Sequence, residues 1–305
     1  MDPLKMLQNR GVSQELIDGV AEFRRKFGET PVDSRQVVVP STLFYGKEIL
    51  EMAIAALLQG ENILLSGSKA TGKNVLADNL CWIFNRPSYN ISFHVNTDSA
   101  SLIGTDTFAG DRVFFRKGPI YQCAEDGFFG ILDEINMAKS DALSVLHATL
   151  DFRRLIDVPG YDRIYLHEAT RFIATMNYGY AGTRELNEAL VSRFLVIQMP
   201  SVNEDLMMAI LQEAFPDGKE AALAQFAGLF LDLQEKAFNS EISTKPIDLR
   251  GLIGALSTIR SGLSPALAVR MGITNKSFDV FEHDIIDDVV STRIPDNWTR
   301  EDVFR

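Results

Sequence analysis

Five short apolar runs punctuate the chain, and stretches of helical spacing separate most of them. They are residues 62–66 (Asn-Ile-Leu-Leu-Ser), 91–96 (Ile-Ser-Phe-His-Val-Asn), 128–132 (Phe-Phe-Gly-Ile-Leu), 171–176 (Arg-Phe-Ile-Ala-Thr-Met) and 194–198 (Phe-Leu-Val-Ile-Gln). The second alternates as a strand does, while the first and the fully apolar third suit strands buried in the sheet. Before the first run, Ile49, Met52, Ala53, Ala56 and Leu57 recur at helical spacing over 47–59, and Gly60 ends that pattern. After it, Val75, Leu76, Leu80, Ile83 and Phe84 mark a second amphipathic helix. Alternation of this kind predicts a five-stranded parallel sheet with helices on both faces, an α/β fold.

The flanks read differently. Ser13 is placed to cap a helix running to about Phe27 with Leu16, Val20 and Phe23 on one face, and Pro31, Val37-Val38-Val39 and Pro40 suggest an extended linker. Two hairpin-like inserts interrupt the alternation, one over 105–115 turning at Ala109-Gly110-Asp111, the other over 154–166 turning at Pro159-Gly160. Beyond Pro200 the pattern is helical, over roughly 203–214, 219–238 and 247–260. The expected division is an N-terminal helical segment and linker (1–40), an α/β domain (41–200) and a helical domain with an acidic end (201–305).

The first strand leads into Gly67, Ser68, Lys69, Ala70, Thr71, Gly72, Lys73, Asn74 and Val75. This is a G-x-x-x-x-G-K phosphate-binding loop in its strand–loop–helix setting. Glycine-rich turns let backbone N–H groups approach phosphates, the helix N-terminus adds positive dipole, and Lys73 is placed to reach the β/γ-phosphates. Asn74 stands where Ser or Thr ordinarily holds Mg²⁺; an amide oxygen is a competent but bulkier hard-cation ligand. The third run ends in Asp133-Glu134, which adds a second half to the site. A buried parallel strand ends beside the phosphate loop, so Asp133 is a candidate to hold Mg²⁺ and Glu134 to activate water for phosphoryl transfer. Asn177, ending the fourth run, is a candidate to orient that water.

Composition narrows the reading. A net charge of −11 disfavours a duplex nucleic-acid binder, which ordinarily presents a basic face. Asp279, Glu282, Asp284, Asp287 and Asp288 read as a solvated acidic surface. No apolar run has the length of a membrane span, and the first residues carry no signal-peptide pattern. Cys81 and Cys123 are expected to be buried free thiols of a reducing cytoplasm. His94, His147, His167 and His283 have no partner at metal-ligand spacing. His147 shares a helical face with Leu143, Leu146 and Leu150, and Arg153 and Arg154 are read as capping that helix.

Taken together, these residues resemble AAA+ ATPases and, more closely, the MoxR group near its CbbQ/NirQ-type and dynein-related branches. The resemblance covers about residues 40–260 and is carried by the phosphate loop, by Asp133-Glu134-Ile-Asn136, by Ala174-Thr-Met-Asn177 and by the segment Glu185–Phe194. It implies a P-loop αβα sandwich with a C-terminal helical lid, ATP and Mg²⁺ as ligands, and a ring, hexameric in this family. It also implies that Arg193 acts as an arginine finger on a neighbour's nucleotide and Arg250 as a sensor-2 arginine. By the same resemblance Tyr45 and Gly46 line the adenine pocket, Asn96 restrains Glu134, and the two hairpins are the inserts that mark this branch. The implied partner is a client protein, often one with a von Willebrand factor A domain. Two further readings stay open: a low-turnover nucleotide-binding regulatory module, and a GTP- or ATP-driven nucleic-acid-linked motor. A small-molecule kinase would not need the Arg193 segment or a separate helical domain.

Overall fold

The structure, a computed structural model, describes residues 2–28, 37, 39–158, 160–178 and 185–305. Most of the expected linker (Pro31 and Val38 among it) and Pro159 of the second hairpin turn lie outside the described residues.

Among the described residues nine strands form in chain order: β1 (Ile63–Gly67), β2 (Ser88–Ser92), β3 (Gly104–Ala109), β4 (Arg112–Lys117), β5 (Phe129–Asp133), β6 (Leu155–Ile156), β7 (Ile164–Tyr165), β8 (Arg171–Asn177) and β9 (Leu195–Gln198). Five build one sheet in the order β2-β5-β8-β1-β9, and every pairing in it is parallel. Successive residues divide between its faces, as a period of two requires. Ile63, Leu65, Phe129, Ile131 and Ile173 join one buried cluster, while Leu64, Leu132, Phe172 and Ala174 join another. Both clusters are closed by helices. Pro3–Asn9 and Gln14–Phe27 bring Met6, Leu7, Ile17, Val20 and Phe23 to the first, and Pro119–Asp126 brings Ile120 and Cys123 to the second. This is the expected AAA+ P-loop α/β fold with a helical C-terminal region. Gly130 pairs with Phe172 in register, and a Cβ there would lie 2.5 Å from the Phe172 ring, so only glycine fits between these strands.

Two boundaries and one cap differ from the expectation. The second strand is 88–92 rather than 91–96, because pairing runs from Ser88–Phe129 to Ser92–Asp133. The chain then turns on hydrogen bonds between His94 and Thr97. The helix expected over 141–150 breaks into Ser140–Leu143 and Leu146–Leu150. Arg154 does not cap it: its guanidinium donates to the carbonyls of Gly60, His167 and Thr170. Both hairpins form, β3 with β4 and β6 with β7. On the first, Phe108 is 78% exposed, whereas Phe115 packs against Tyr121 and Tyr161.

Two compact units emerge, residues 1–68 with 72–199, and residues 69–71 with 200–305. The second has its own core, drawn from helices Glu204–Ala214, Glu220–Phe238 and Leu249–Arg260. Two further helices, Pro265–Gly272 and Val280–Arg293, were not read from the sequence. The acidic stretch is more than a solvated surface. Glu282 accepts hydrogen bonds from Ser243 N–H at 2.7 Å and its hydroxyl at 2.9 Å, and Asp287 accepts from Thr274 at 3.1 Å. Among the described residues no helix is long and apolar enough to cross a membrane. Cys81 and Cys123 are free and buried, and burial pushes both thiols up, Cys81 to about 12.

Candidate active site

Sheet order brings the chemistry together. β5, β8 and β1 are consecutive neighbours, and their C-terminal ends carry Asp133, Asn177 and Gly67. Gly67 pairs directly with Asn177, and Leu132 with Ala174 one step before the acids. Parallel strands all point their carboxyl ends at one edge, which is where open α/β sheets bind ligands.

The loop leaves β1 and enters the helix Lys73–Ile83. Gly72 is its N-cap at φ 82°, a left-handed geometry that glycine adopts without strain. No side chain caps this helix, so its first-turn N–H groups face the loop with the positive end of the dipole behind them. That arrangement and the donor set fit a nucleotide's phosphates with Mg²⁺. The Asp133 carboxylate and the Asn74 amide oxygen are of the donor type that suits a hard cation, and both side chains are half-buried. Gly67 and Thr71 are buried, Ser68 exposed, and Val75 half-buried. The helix is fixed from outside by the buried Asn79, whose amide donates to Thr42 and Val75 carbonyls and whose oxygen accepts from Phe44 N–H. Next to Phe44, Tyr45 lies under the Arg10 guanidinium at 3.5 Å from ring centre, and Gly46 caps the helix Lys47–Leu58 at φ 127°.

Lys73 is 6% exposed, and its Nζ donates to the carbonyls of Gly67 at 3.1 Å and Ser68 at 2.7 Å. Burial lowers its pKa to about 8 against the pull of Asp133 and Glu134. Phosphate binding favours the charged lysine, so above that pH binding must draw a proton from solvent onto Nζ. Affinity should therefore be flat below pH 8 and fall by up to about tenfold per pH unit above it. Lys73→Arg should flatten the decline. Titration of a fluorescent nucleotide at pH 7, 8 and 9 checks this, and equal affinities at the two ends would contradict it.

The acids are held by a residue the sequence did not single out. Thr175, buried in β8, donates from Oγ1 to Asp133 Oδ1 at 2.6 Å and accepts from Glu134 N–H at 3.0 Å. Its signal was present: a hydroxyl inside an apolar strand, two residues before Asn177 and so on the same face, needs a buried partner. Glu134 itself sits at φ 55°, a left-handed conformation uncommon for a residue other than glycine and often found at functional sites. Asn177 Nδ2 donates to Glu134 Oε1 at 3.1 Å.

Other candidates fall elsewhere. Asn96 lies exposed in the turn beyond β2, its N–H donating to His94 Nδ1, so the amide restraining Glu134 here is Asn177. Arg193 follows the short helix Glu188–Val191. Its Nε donates to His147 O at 3.0 Å, another nitrogen donates to Ala189 O, and Nη2 stands 3.6 Å from Asp151. None of these partners belongs to the phosphate loop, the acid pair or Asn177. Asp151 is gripped by Arg153 through contacts of 2.6–3.1 Å, which lowers its pKa. In the second unit, Arg250 is exposed on the first turn of the helix capped by Asp248. Lys69 and Ala70, grouped with that unit, are exposed and half-buried, and Lys69 Nζ is 3.5 Å from Thr244 O.

A phosphate loop, an acid pair and a polar strand end on adjacent parallel strands define a P-loop nucleotide-binding protein. Residues 62–194 match the AAA domain of the dynein-related subfamily. The chain is 32% identical over 250 residues to the uncharacterized protein YojN of Bacillus subtilis, spanning 80% of this chain and 82% of that one. It is also 31% identical over 245 residues to the uncharacterized protein SERP0979 of Staphylococcus epidermidis, spanning 78% and 92%. A crystal structure from Cytophaga hutchinsonii, provisionally called an ATPase, aligns over 91% of this chain and 96% of that one at 17% identity and a TM-score of 0.47. The chain belongs to the AAA family, in its dynein-related subfamily.

Proposed function

We propose that this protein is a MoxR-like AAA+ ATPase of the CbbQ/NirQ type that works as a cytoplasmic oligomeric ring and remodels or matures a partner protein. The observation that carries the reading is the junction of Gly67, Asp133 and Asn177 at one sheet edge with Glu134 held by Asn177. ATP supplies the phosphoanhydride, and Mg²⁺ neutralises its phosphate charge. The loop from Gly67 to Val75 holds the phosphates, with Lys73 contributing its charge, and Tyr45 and Gly46 serve the adenine. Asn74 and Asp133 are the metal's protein ligands. Glu134 accepts the proton of the attacking water, and Asn177 orients both. Arg193 serves the neighbouring subunit's nucleotide, and Arg250 couples the helical region to nucleotide state. The exposed Phe108 and Val113 of the first hairpin suit contact with a client, for which a von Willebrand factor A-domain protein is the class proposed.

Asn74 supports slower turnover than a Ser or Thr would give, because the amide is larger and its donor group differs in geometry. Purified protein incubated with ATP, with and without Mg²⁺, tests the reading, with mass photometry reporting assembly. Magnesium-dependent phosphate release from an ATP-bound oligomer is the expected outcome. A monomer under all nucleotide conditions would remove the trans role of Arg193, preference for GTP would favour the motor reading, and nucleotide binding without release would favour the regulatory module.

A further inference from the structure

Behind the acid pair, the chain makes a single 3-10 turn, Ile135–Met137. Its central residue, Asn136, is 2% exposed between the buried Ile135 and half-buried Met137. An amide in such a place is costly unless it is bonded. Its Nδ2 donates to the backbone carbonyl of Asn177 at 2.8 Å. That carbonyl ends β8, beyond the last pairing with β5 at Leu132–Ala174, so the β5 ladder offers it no donor. Asn136 supplies one from the turn instead.

The consequence is a closed circuit. From Glu134 the backbone leads two residues on to Asn136. The Asn136 side chain holds the Asn177 main chain, and the Asn177 side chain returns to Glu134 Oε1 at 3.1 Å. A second tie, Met137 N–H to Glu134 O at 2.8 Å, tightens the same turn. The left-handed backbone of Glu134 directs the chain into this turn. Thr175 already ties the Asp133 carboxylate and the Glu134 N–H to β8, but neither bond reaches the Glu134 side chain or the carbonyl end of Asn177. The Asn136 bond sets the main-chain position from which Asn177 reaches.

We infer that Asn136 is a positioning residue: its carboxamide sets the Asn177 main chain and thereby the mutual placement of Glu134 and Asn177. The inference rests on the reading that those two residues serve hydrolysis, and it extends that reading to a residue outside the reacting groups. Small displacements of catalytic groups cost rate rather than affinity when the binding loop is untouched.

Three variants of the full chain test it. Asn136→Leu removes the donor and keeps the volume, Asn136→Ala removes it without adding bulk, and Asn62→Leu is the control. Asn62 is an equally buried asparagine before β1, at the opposite sheet edge, bonded to Leu150 O and Phe172 N–H. Both Asn136 variants should lower kcat at least about tenfold with nucleotide affinity unchanged. Asn62→Leu should lower the melting temperature and spare kcat. With ¹⁵N-asparagine labelling, the Asn177 side-chain resonances should move in Asn136→Leu and in Glu134→Gln, and stay in Asn62→Leu. If the leucine variant does not fold, Asn136→Ser carries the same comparison. A kcat within about threefold of wild type in the folded Asn136 variants, or unmoved Asn177 resonances, overturns the inference. A wild-type protein no faster than Glu134→Gln would instead remove the hydrolytic reading, and the resonances alone would then decide whether Asn136 sets Asn177.

Discussion

Replacing Glu134 with Gln should leave nucleotide binding intact and lower hydrolysis by roughly 10²–10⁴-fold, the range a positioned general base supplies. The substitution is nearly isosteric. A Gln oxygen can still accept from Asn177 Nδ2, and the backbone N–H bond to Thr175 does not involve the side chain. What is lost is the carboxylate's ability to take a proton from water. The phosphate loop and Lys73 are unchanged, so affinity should stay within about twofold and the variant should hold ATP on the assembled protein. Equilibrium binding beside single-turnover hydrolysis measures both halves. Turnover within about threefold of wild type would assign the base elsewhere.

Arg193→Ala is expected to cost about 10³-fold or more in hydrolysis, as removal of a charge-stabilising arginine does in related phosphoryl transfers. The residue's own contacts make this specific. Its side chain is 21% exposed, and its guanidinium is bonded to His147 O and Ala189 O and paired with Asp151, a support that aims it without engaging the chain's own acid pair or loop. Mixing decides whether it acts in trans. Arg193→Ala subunits keep Glu134 but lack the arginine, while Glu134→Gln subunits keep the arginine but lack the base. Each alone should be inactive, and co-assembled oligomers should regain activity at junctions where an intact base meets an intact arginine. Failure to recover, with mixed oligomers verified by mass, would leave Arg193 a structural residue tying β9's approach to the helix Leu146–Leu150.

Legibility varied with the range of the interaction. The strand cores at 63–67, 129–133, 171–177 and 195–198 were readable because burial on both faces demands unbroken apolar runs, and the loop because phosphate recognition demands glycine at fixed spacing. β2 was misplaced by three residues, since Ile91, Phe93 and Val95 alternate equally well in the turn that follows. The break after Leu143 and the helices at 265–272 and 280–293 escaped for a related reason: short or charge-rich helices draw their stability from contacts rather than from periodicity. The Arg10 guanidinium on the Tyr45 ring comes from a segment 35 residues earlier, and no local pattern announces such a contact.

By itself, the sequence determined the chemical inventory: a phosphate loop, two carboxylates ending one strand, an asparagine ending another, and a helical region after Pro200. Each of these is a local property, set by spacing and by the two periodicities of helix and strand. Only the tertiary structure decided who touches whom. The strand order β2-β5-β8-β1-β9 set the acids beside Asn177 and Asn177 beside the loop. It also drew Thr175 to Asp133 across 42 residues and Asn136 to Asn177 across 41. Hydrogen bonds of that separation depend on which strands are neighbours, and strand neighbourhood is a property of the assembled sheet that no stretch of sequence carries alone.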